Sequence, residues 1–374
     1  MVWSILASCV PPASVAPNDP AHDWDGDGWT ENAGDCDDDT ATVHPGAREV
    51  CGDGVAQGCD ADRPCALAGD RTIDDGVVIA RGCPAAAAGD TTGDGFGELI
   101  VGDDAGGATV VDVVGGGRVR FDGSAPGPVA VAGLGDVDGD GLSDVAIGVR
   151  TRGDHASDTV WVGFGRTSPG DVDLATASGV ARMSGPLGVG YAVDGGGDAT
   201  GDGPVDWAVS APGLSAQDVG RVWLIDAPPV DGAELASLAR VVVDGGPDAG
   251  FGAALDLGSD LDGDGLADLV VAAERGPDGV AELVVALGGR DGTVARGDAD
   301  RVLVLAAPTA GLGPVPVAPG DVDGDGRGDL AVGLAVAGSD AAEVALWFAP
   351  LAAGGRADAD GVWVGPEGGR LGAA

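Results

Sequence analysis

The sequence predicts an all-β fold: a β-propeller of about five recognisable blades behind a small, loop-rich, acidic module that carries the cysteines. Three observations predict it. An acidic motif recurs at near-constant spacing, each copy is followed by short apolar runs, and the composition suits strands joined by tight turns. Of 374 residues, 71 are glycine and 4% aromatic, while 44% are apolar, enough for a sizeable core.

The motif is D-x-D-G-D-G-x-x-D. Copies or near-copies are "DTTGDGFGE" from Asp90, "DVDGDGLSD" from Asp136, "DATGDGPVD" from Asp198, "DLDGDGLAD" from Asp260 and "DVDGDGRGD" from Asp321. Their first aspartates are 46, 62, 62 and 61 residues apart. A period near 61 is too long for a helical solenoid repeat and suits a four-stranded blade. The elements of a blade follow in order. After the loop comes one strand ("DVAIGV", "DWAVSA", "DLVVAA", "DLAVGL"), then a second ("VWVGFG", "RVWLID", "AELVVAL", "EVALWFA"). A third run precedes a small-residue segment such as "GVGYAV" or "GFGAAL", which enters the next loop. These runs are too short and too β-branched for helices.

Four aspartates within nine residues repel one another unless a cation sits among them. Carboxylates at loop positions 1, 3, 5 and 9, with a backbone carbonyl at 7, supply the hard oxygen ligands that calcium prefers. The complete sets are Asp136, Asp138, Asp140 and Asp144; Asp260, Asp262, Asp264 and Asp268; and Asp321, Asp323, Asp325 and Asp329, with the carbonyls of Leu142, Leu266 and Arg327. Asp198, Thr200, Asp202 and Asp206, with the Pro204 carbonyl, form a weaker set. Asp90, Asp94 and Glu98, with Thr92 at position 3, should form the weakest. Glycines at positions 4 and 6 of every loop permit the tight wrap. An EF-hand would need a bidentate Glu at position 12, where this chain has Val101, Ile147, Val209, Val271 and Val332. Magnesium, which wants a stricter octahedron, fits less well than several calcium ions.

At these residues the unit resembles the FG-GAP repeat of integrin α-subunits and related bacterial surface proteins. "GFGAALDLGSDLDGDGLADLVVAA" and "DWAVSAPG" follow its signature closely. The resemblance covers roughly residues 75 to 374. It implies a propeller with calcium between the first two strands of each blade, a seven-bladed ring in most relatives, and a role in adhesion.

Residues 1–20 read as a lipobox-like start and Pro-rich tether, 21–66 as an acidic cysteine-containing module, and 67–374 as the propeller. "LASC" resembles a bacterial lipobox, which implies a lipid anchor at Cys9, although Met1 to Ile5 supplies no basic n-region. The six cysteines all lie in the first quarter and contain no CxxC pair, so disulfides and an oxidising, extracytoplasmic setting are expected. "DWDGDGWTE" places Asp23, Asp25, Asp27 and Glu31 at the same 1, 3, 5, 9 positions. With "GDCDDDTATVHPGAREVCGDG" it resembles a metal-binding motif repeated in surface proteins of myxobacteria, and "VAQGCDADRPC" departs from that motif. Cys51 and Cys59 could close a short disulfide loop. Relatives of the motif include a copper-binding surface protein, but only His22 and His44 would suit copper, and calcium fits the oxygen-rich set better.

A formal net charge of −42 argues against nucleic acid or anionic lipid as partner and for bound cations. Three histidines, one tyrosine, no lysine and no nucleophile elbow, P-loop or H-E-x-x-H predict that the chain is not an enzyme; a propeller-based hydrolase is the remoter alternative. Three RGD triplets, at Arg152–Asp154, Arg296–Asp298 and Arg327–Asp329, read as products of composition. The expected partner is an unknown protein or glycan; a structural coat or stalk protein without a ligand is the alternative. The repeat also predicts a further acidic loop about 61 residues beyond Asp321, past Ala374. "PEGGRLGAA" reads as an opening strand and "GVVIARG" from Gly76 as a closing one, so the ring is expected to be incomplete; the alternative is a five-bladed ring closed by those two segments.

Overall fold

In the computed structural model the described residues are 28–34, 36, 43–45 and 84–364, apart from 104, 113–116, 124–128, 152–157, 213–218, 247–249, 275–279, 306–314, 336–341, 352–353 and 356–358. The chain divides into two compact units, Met1–Val78 and Ile79–Ala374. Residues 76–82 and 366–374, read above as surplus strands, lie outside the described set.

The second unit is a β-propeller of five sheets, each built on four antiparallel strands, three of them with a fifth strand added. Blade one holds β1 (Ala85–Gly89), β2 (Glu98–Gly102), β3 (Ala108–Val111) and β4 (Arg118–Asp122). From blade two come β5 (Val129–Gly135), β6 (Asp144–Val149), β7 (Thr159–Gly163), β8 (Gly170–Asp173) and β9 (Val180–Met183). Blade three supplies β10 (Val193–Gly197), β11 (Asp206–Ala211), β12 (Arg221–Ile225) and β13 (Ala239–Asp244). Blade four supplies β14 (Phe251–Leu257), β15 (Leu269–Ala273), β16 (Ala281–Ala286), β17 (Gly292–Ala295) and β18 (Arg301–Leu305). Blade five supplies β19 (Val315–Gly320), β20 (Asp329–Ala335), β21 (Ala342–Trp347), β22 (Gly354–Gly355) and β23 (Gly361–Val364). The one α-helix among the described residues is Leu235–Leu238, and no described helix is long and apolar enough to cross a membrane.

Successive blades are held together by apolar layers between sheets. Strands buried on both faces, such as "DVAIGV" and "AELVVA", fill these layers from either side, which is why they read as continuous apolar runs. Blades one and two bury Ile100, Phe121, Ile147 and Trp161 against each other, and blades two and three bury Leu134, Met183, Trp207 and Ile225. Phe251, Leu224, Val243 and Leu257 fill the next layer, then Leu283, Leu303, Leu330 and Trp347. The inner strands pack in sequence, β1 on β5, β5 on β10, β10 on β14 and β14 on β19; no comparable packing of β19 on β1 is present among the described residues.

The blades are also laced at their outer edges, a feature the four-strand reading did not contain. β8 leaves blade two between β7 and β9 and pairs in parallel with β4 of blade one. β17 of blade four pairs likewise with β13, and β22 of blade five with β18. Between blades two and three the same excursion is a single parallel bridge, Ser184 to Glu234. Blade one joins β3 to β4 through residues 112–117, too short a connection for such an excursion. That short connection helps explain why the first acidic loops are 46 residues apart and the rest 61 or 62.

Candidate metal centres

Each acidic loop joins the first two strands of a blade, and its approach is shaped by the strand before it. In blades one, two, three and five the register slips by a residue just before the loop, as between Gly133 and Gly135 opposite β6. Such a bulge bends the strand and swings the chain out of the sheet.

Inside the loop, the first aspartate folds the backbone around itself. Asp136 Oδ1 accepts the N–H groups of Gly139 (2.7 Å) and Asp140 (3.0 Å), and Oδ2 accepts that of Gly141 (2.8 Å). Asp90, Asp260 and Asp321 repeat all three bonds. Gly139 and Gly141 stand at φ of +80° and +90°, a region that side chains strain to enter. No atom lies within 4 Å of where their Cβ would sit, so backbone conformation alone calls for glycine there.

Position 9 is different from a rim ligand. Asp144, Asp206 and Asp329 are fully buried, and Asp268 and Glu98 nearly so. Asp144 Oδ2 accepts the Val137 N–H (3.0 Å) from its own loop, while Oδ1 accepts the Gly165 N–H (2.8 Å) beyond β7. Asp268 binds Leu261 and Gly288 in the same way, and Asp329 binds Val322 and Ala349. In the first loop Glu98 Oε2 instead takes both the N–H and the hydroxyl of Thr91. In blades two, four and five position 9 therefore pins the loop to the third strand of the blade, a second role that the motif alone did not show. Its only sequence signal is that an acid opens an apolar strand. Burial, only partly offset by these N–H groups, pushes the Asp144 and Asp268 carboxyls up to about 7 and that of Asp206 up to about 6.

Four of the five loops gather three acids with ligand oxygens within 4.8 Å of one another: Asp90, Asp94 and Glu98; Asp136, Asp138 and Asp144; Asp260, Asp262 and Asp268; and Asp321, Asp323 and Asp325. Asp140 and Asp264 fall outside these groups; each uses Oδ1 to accept the N–H of the position-7 residue, Leu142 (2.9 Å) or Leu266 (2.8 Å). That bond holds the position-7 peptide in place. Asp325 does the same for Arg327. The loop from Asp198 gathers no such group: Thr200 brings a hydroxyl, 3.5 Å from Asp206 Oδ1, and Pro204 has no N–H for Asp202 to accept. The donors are all hard oxygens in a concave, glycine-lined turn, which fits a divalent cation of the calcium type.

Neighbouring loops touch. The Ser143 N–H donates to the Asp90 carbonyl (2.8 Å), Ala267 to Asp198 (2.8 Å) and Gly328 to Asp260 (2.6 Å). Leu142 lies over Gly93, Leu266 over Gly201 and Arg327 over Gly263.

In the first unit, Asp23, Asp25 and Asp27 lie outside the described residues, and Glu31 is described only as part of a 3-10 turn, Glu31–Ala33. His44 stacks on Trp29 with ring centres 6.2 Å apart, and Cys36 is disulfide-bonded. The RGD triplet Arg296–Asp298 is a 3-10 turn whose arginine is buried in an ion pair with Glu282. Arg327–Asp329 ends in the buried position-9 acid, and Arg152–Asp154 lies outside the described residues.

Sheets stacked blade against blade, with an acidic loop entering the second strand of each, define the second unit as a β-propeller of looped repeats. Within it, residues 260–332 match the FG-GAP-like repeat family, a span from the first acid of the fourth loop to β20 of the next blade. No curated protein matches the chain.

Proposed function

We propose that this protein is a calcium-binding β-propeller of the extracytoplasmic surface, a binding or adhesion module and not an enzyme. The observation that carries the reading is the convergence of three acids in four separate loops, each wrapped by left-handed glycines. Without a cation those carboxylates repel; with calcium they tie the first two strands of each blade together. The "LASC" segment and the clustered cysteines support an oxidising, surface-anchored setting with a lipid at Cys9. The resemblance to integrin α-type repeats supports adhesion, and the myxobacterial-type motif supports a further cation at Asp23, Asp25, Asp27 and Glu31.

The test is thermal unfolding across a calcium series. With site affinities of about 10⁻⁴ to 10⁻³ M, 10 mM calcium should add about 1–3 kcal/mol per occupied site over protein in chelator. A melting temperature indifferent to chelator would remove calcium from the account.

A further inference from the structure

A groove of about 640 Å³ lies where three blades meet, away from the acidic loops. Val149, Thr159, Trp161, Val180 and Arg182 of blade two form its floor, and Leu174 to Ala177, just after β8, form one wall. Asp231 and Gly232, from the excursion of blade three, close the other side. Its size is that of an ordinary small-ligand site.

The polar groups in it are held in place. Arg182 donates its backbone N–H to Asp231 Oδ1 (3.0 Å), and its carbonyl accepts the Gly232 N–H (2.8 Å). Arg182 Nε donates to Thr159 Oγ1 (3.3 Å), which itself donates to the Met183 carbonyl (2.8 Å). The guanidinium carbon lies 5.6 Å from the centre of the Trp161 ring. Arg120, Arg221, Arg240, Arg290 and Arg296 are each paired with a carboxylate, whereas Arg182 has no ion pair among the described residues. Arg118, Arg150 and Arg166 likewise have none, but Arg182 is the arginine that lines this groove, exposed and held by Thr159.

We propose that this groove binds a uronate residue of an acidic saccharide. The terminal nitrogens of Arg182 form a fork that suits one carboxylate. Asp231, fixed through one oxygen, offers the other to sugar hydroxyls. Val180, Ala175 and Ala177, the more open apolar residues of the lining, take the apolar face of the ring. Asp231 and the net charge of −42 disfavour phosphate or a densely sulfated chain and tolerate a single negative charge. A peptide adding as a strand is disfavoured because the adjacent edge of β9 is already bridged, Ser184 to Glu234. The assignment rests on the reading of the chain as a binding module, but not on the metal.

Calorimetry of the full chain, with calcium and with chelator, tests it using a trisaccharide with a single glucuronate, neutral maltotriose and N-acetyl-triglycine. The glucuronate trisaccharide should bind and the other two should not. Arg182→Gln should weaken that binding roughly 10- to 100-fold, the worth of a charge-assisted hydrogen bond. Circular dichroism and a calcium titration on the same variant report whether fold and loops are intact, and Arg182 itself lies away from the acidic loops. No uronate binding by a folded, calcium-competent protein would overturn the assignment and leave the calcium reading standing. Uronate binding that persists in Arg182→Gln, or equal binding of the tripeptide carboxylate, would overturn it too. Uronate binding by a protein whose calcium titration shows no calcium uptake would keep the groove and sink the metal proposal.

Discussion

Asp194, close enough to Asp256 to feel its charge, predicts a stability that falls as the solution turns from acid to neutral. Both lie on inner strands, at positions opposite Ala208 and Val270, and the equivalent positions in the other blades are Ala86, Ala132 and Val317. Burial, then the charge of Asp256, pushes the Asp194 carboxyl from 3.8 up to about 7, although the Leu257 N–H (2.8 Å) and that of Gly195 pull the other way. A carboxyl with a folded pKa above its unfolded value holds more protons when folded. Stability is therefore lost as pH rises through the window between about 4 and 7. A shift of about three units corresponds to roughly 4 kcal/mol at full ionisation. Asp194→Asn keeps an acceptor for Leu257 and removes the charge, so it should stabilise the protein by up to about 4 kcal/mol at pH 8 and by little at pH 4. Urea unfolding at fixed saturating calcium, from pH 4 to 8, measures this directly. A difference between wild type and Asp194→Asn that stays constant over that range would refute the reasoning.

Other expectations concern loops, edges and a buried pair. Asp262→Ala should lower the melting temperature in calcium more than Asp94→Ala, because the first loop has Thr92 at position 3 and less occupancy to lose; the two should converge in chelator. Leu174→Ala should cost about 2–5 kcal/mol in chemical unfolding, since Leu174 follows β8 into the layer between blades one and two; a loss within about 0.5 kcal/mol, as for a surface loop, would show that the edge strand is dispensable. Arg296→Met should cost about 3–5 kcal/mol by stranding buried Glu282, and adding Glu282→Met should recover most of it, read by the same unfolding curves.

The sequence made the blades legible because a propeller repeats its strongest signals. The D-x-D-G-D-G turn has a fixed spacing, and strands buried on both faces, such as "DLVVAA", are continuous apolar runs. The loop glycines were legible for the same reason: a positive φ leaves few other choices. The edge strands were not. β8 is "GDVD" and β17 is "GTVA", each with one buried residue in four, and β22 is two glycines, so none makes an alternating pattern. They exist because a fourth strand already offers an unpaired row of N–H and C=O groups, and the next blade supplies the partner. Tertiary context, not local preference, creates them.

The same logic separates the two roles of the acidic motif. Position 9 joins positions 1 and 3, or 1 and 5, in three of the gathered groups, and positions 1, 3 and 5 meet in the fifth loop; the acids of each group need a cation to coexist. Position 9 would remain useful without one, since its oxygens already accept N–H groups from the loop and from beyond the third strand. Yet its burial raises its pKa, so a lone buried carboxylate there is costly and a nearby divalent charge offsets that cost. A single buried acid thus joins the metal site to the body of the blade. The bonds from Ser143 to Asp90, Ala267 to Asp198 and Gly328 to Asp260 then carry that constraint between blades. Loss of one ion should therefore loosen two blades and not only its own. Where Arg327 lies over Gly263 in place of the leucines at Leu142 and Leu266, the fourth loop has a cation as its neighbour, and its affinity should be the one most improved by Arg327→Leu. Calcium titration of that variant at low and high salt would show it: tighter binding that fades with screening supports the charge, and unchanged binding assigns Arg327 a packing role alone.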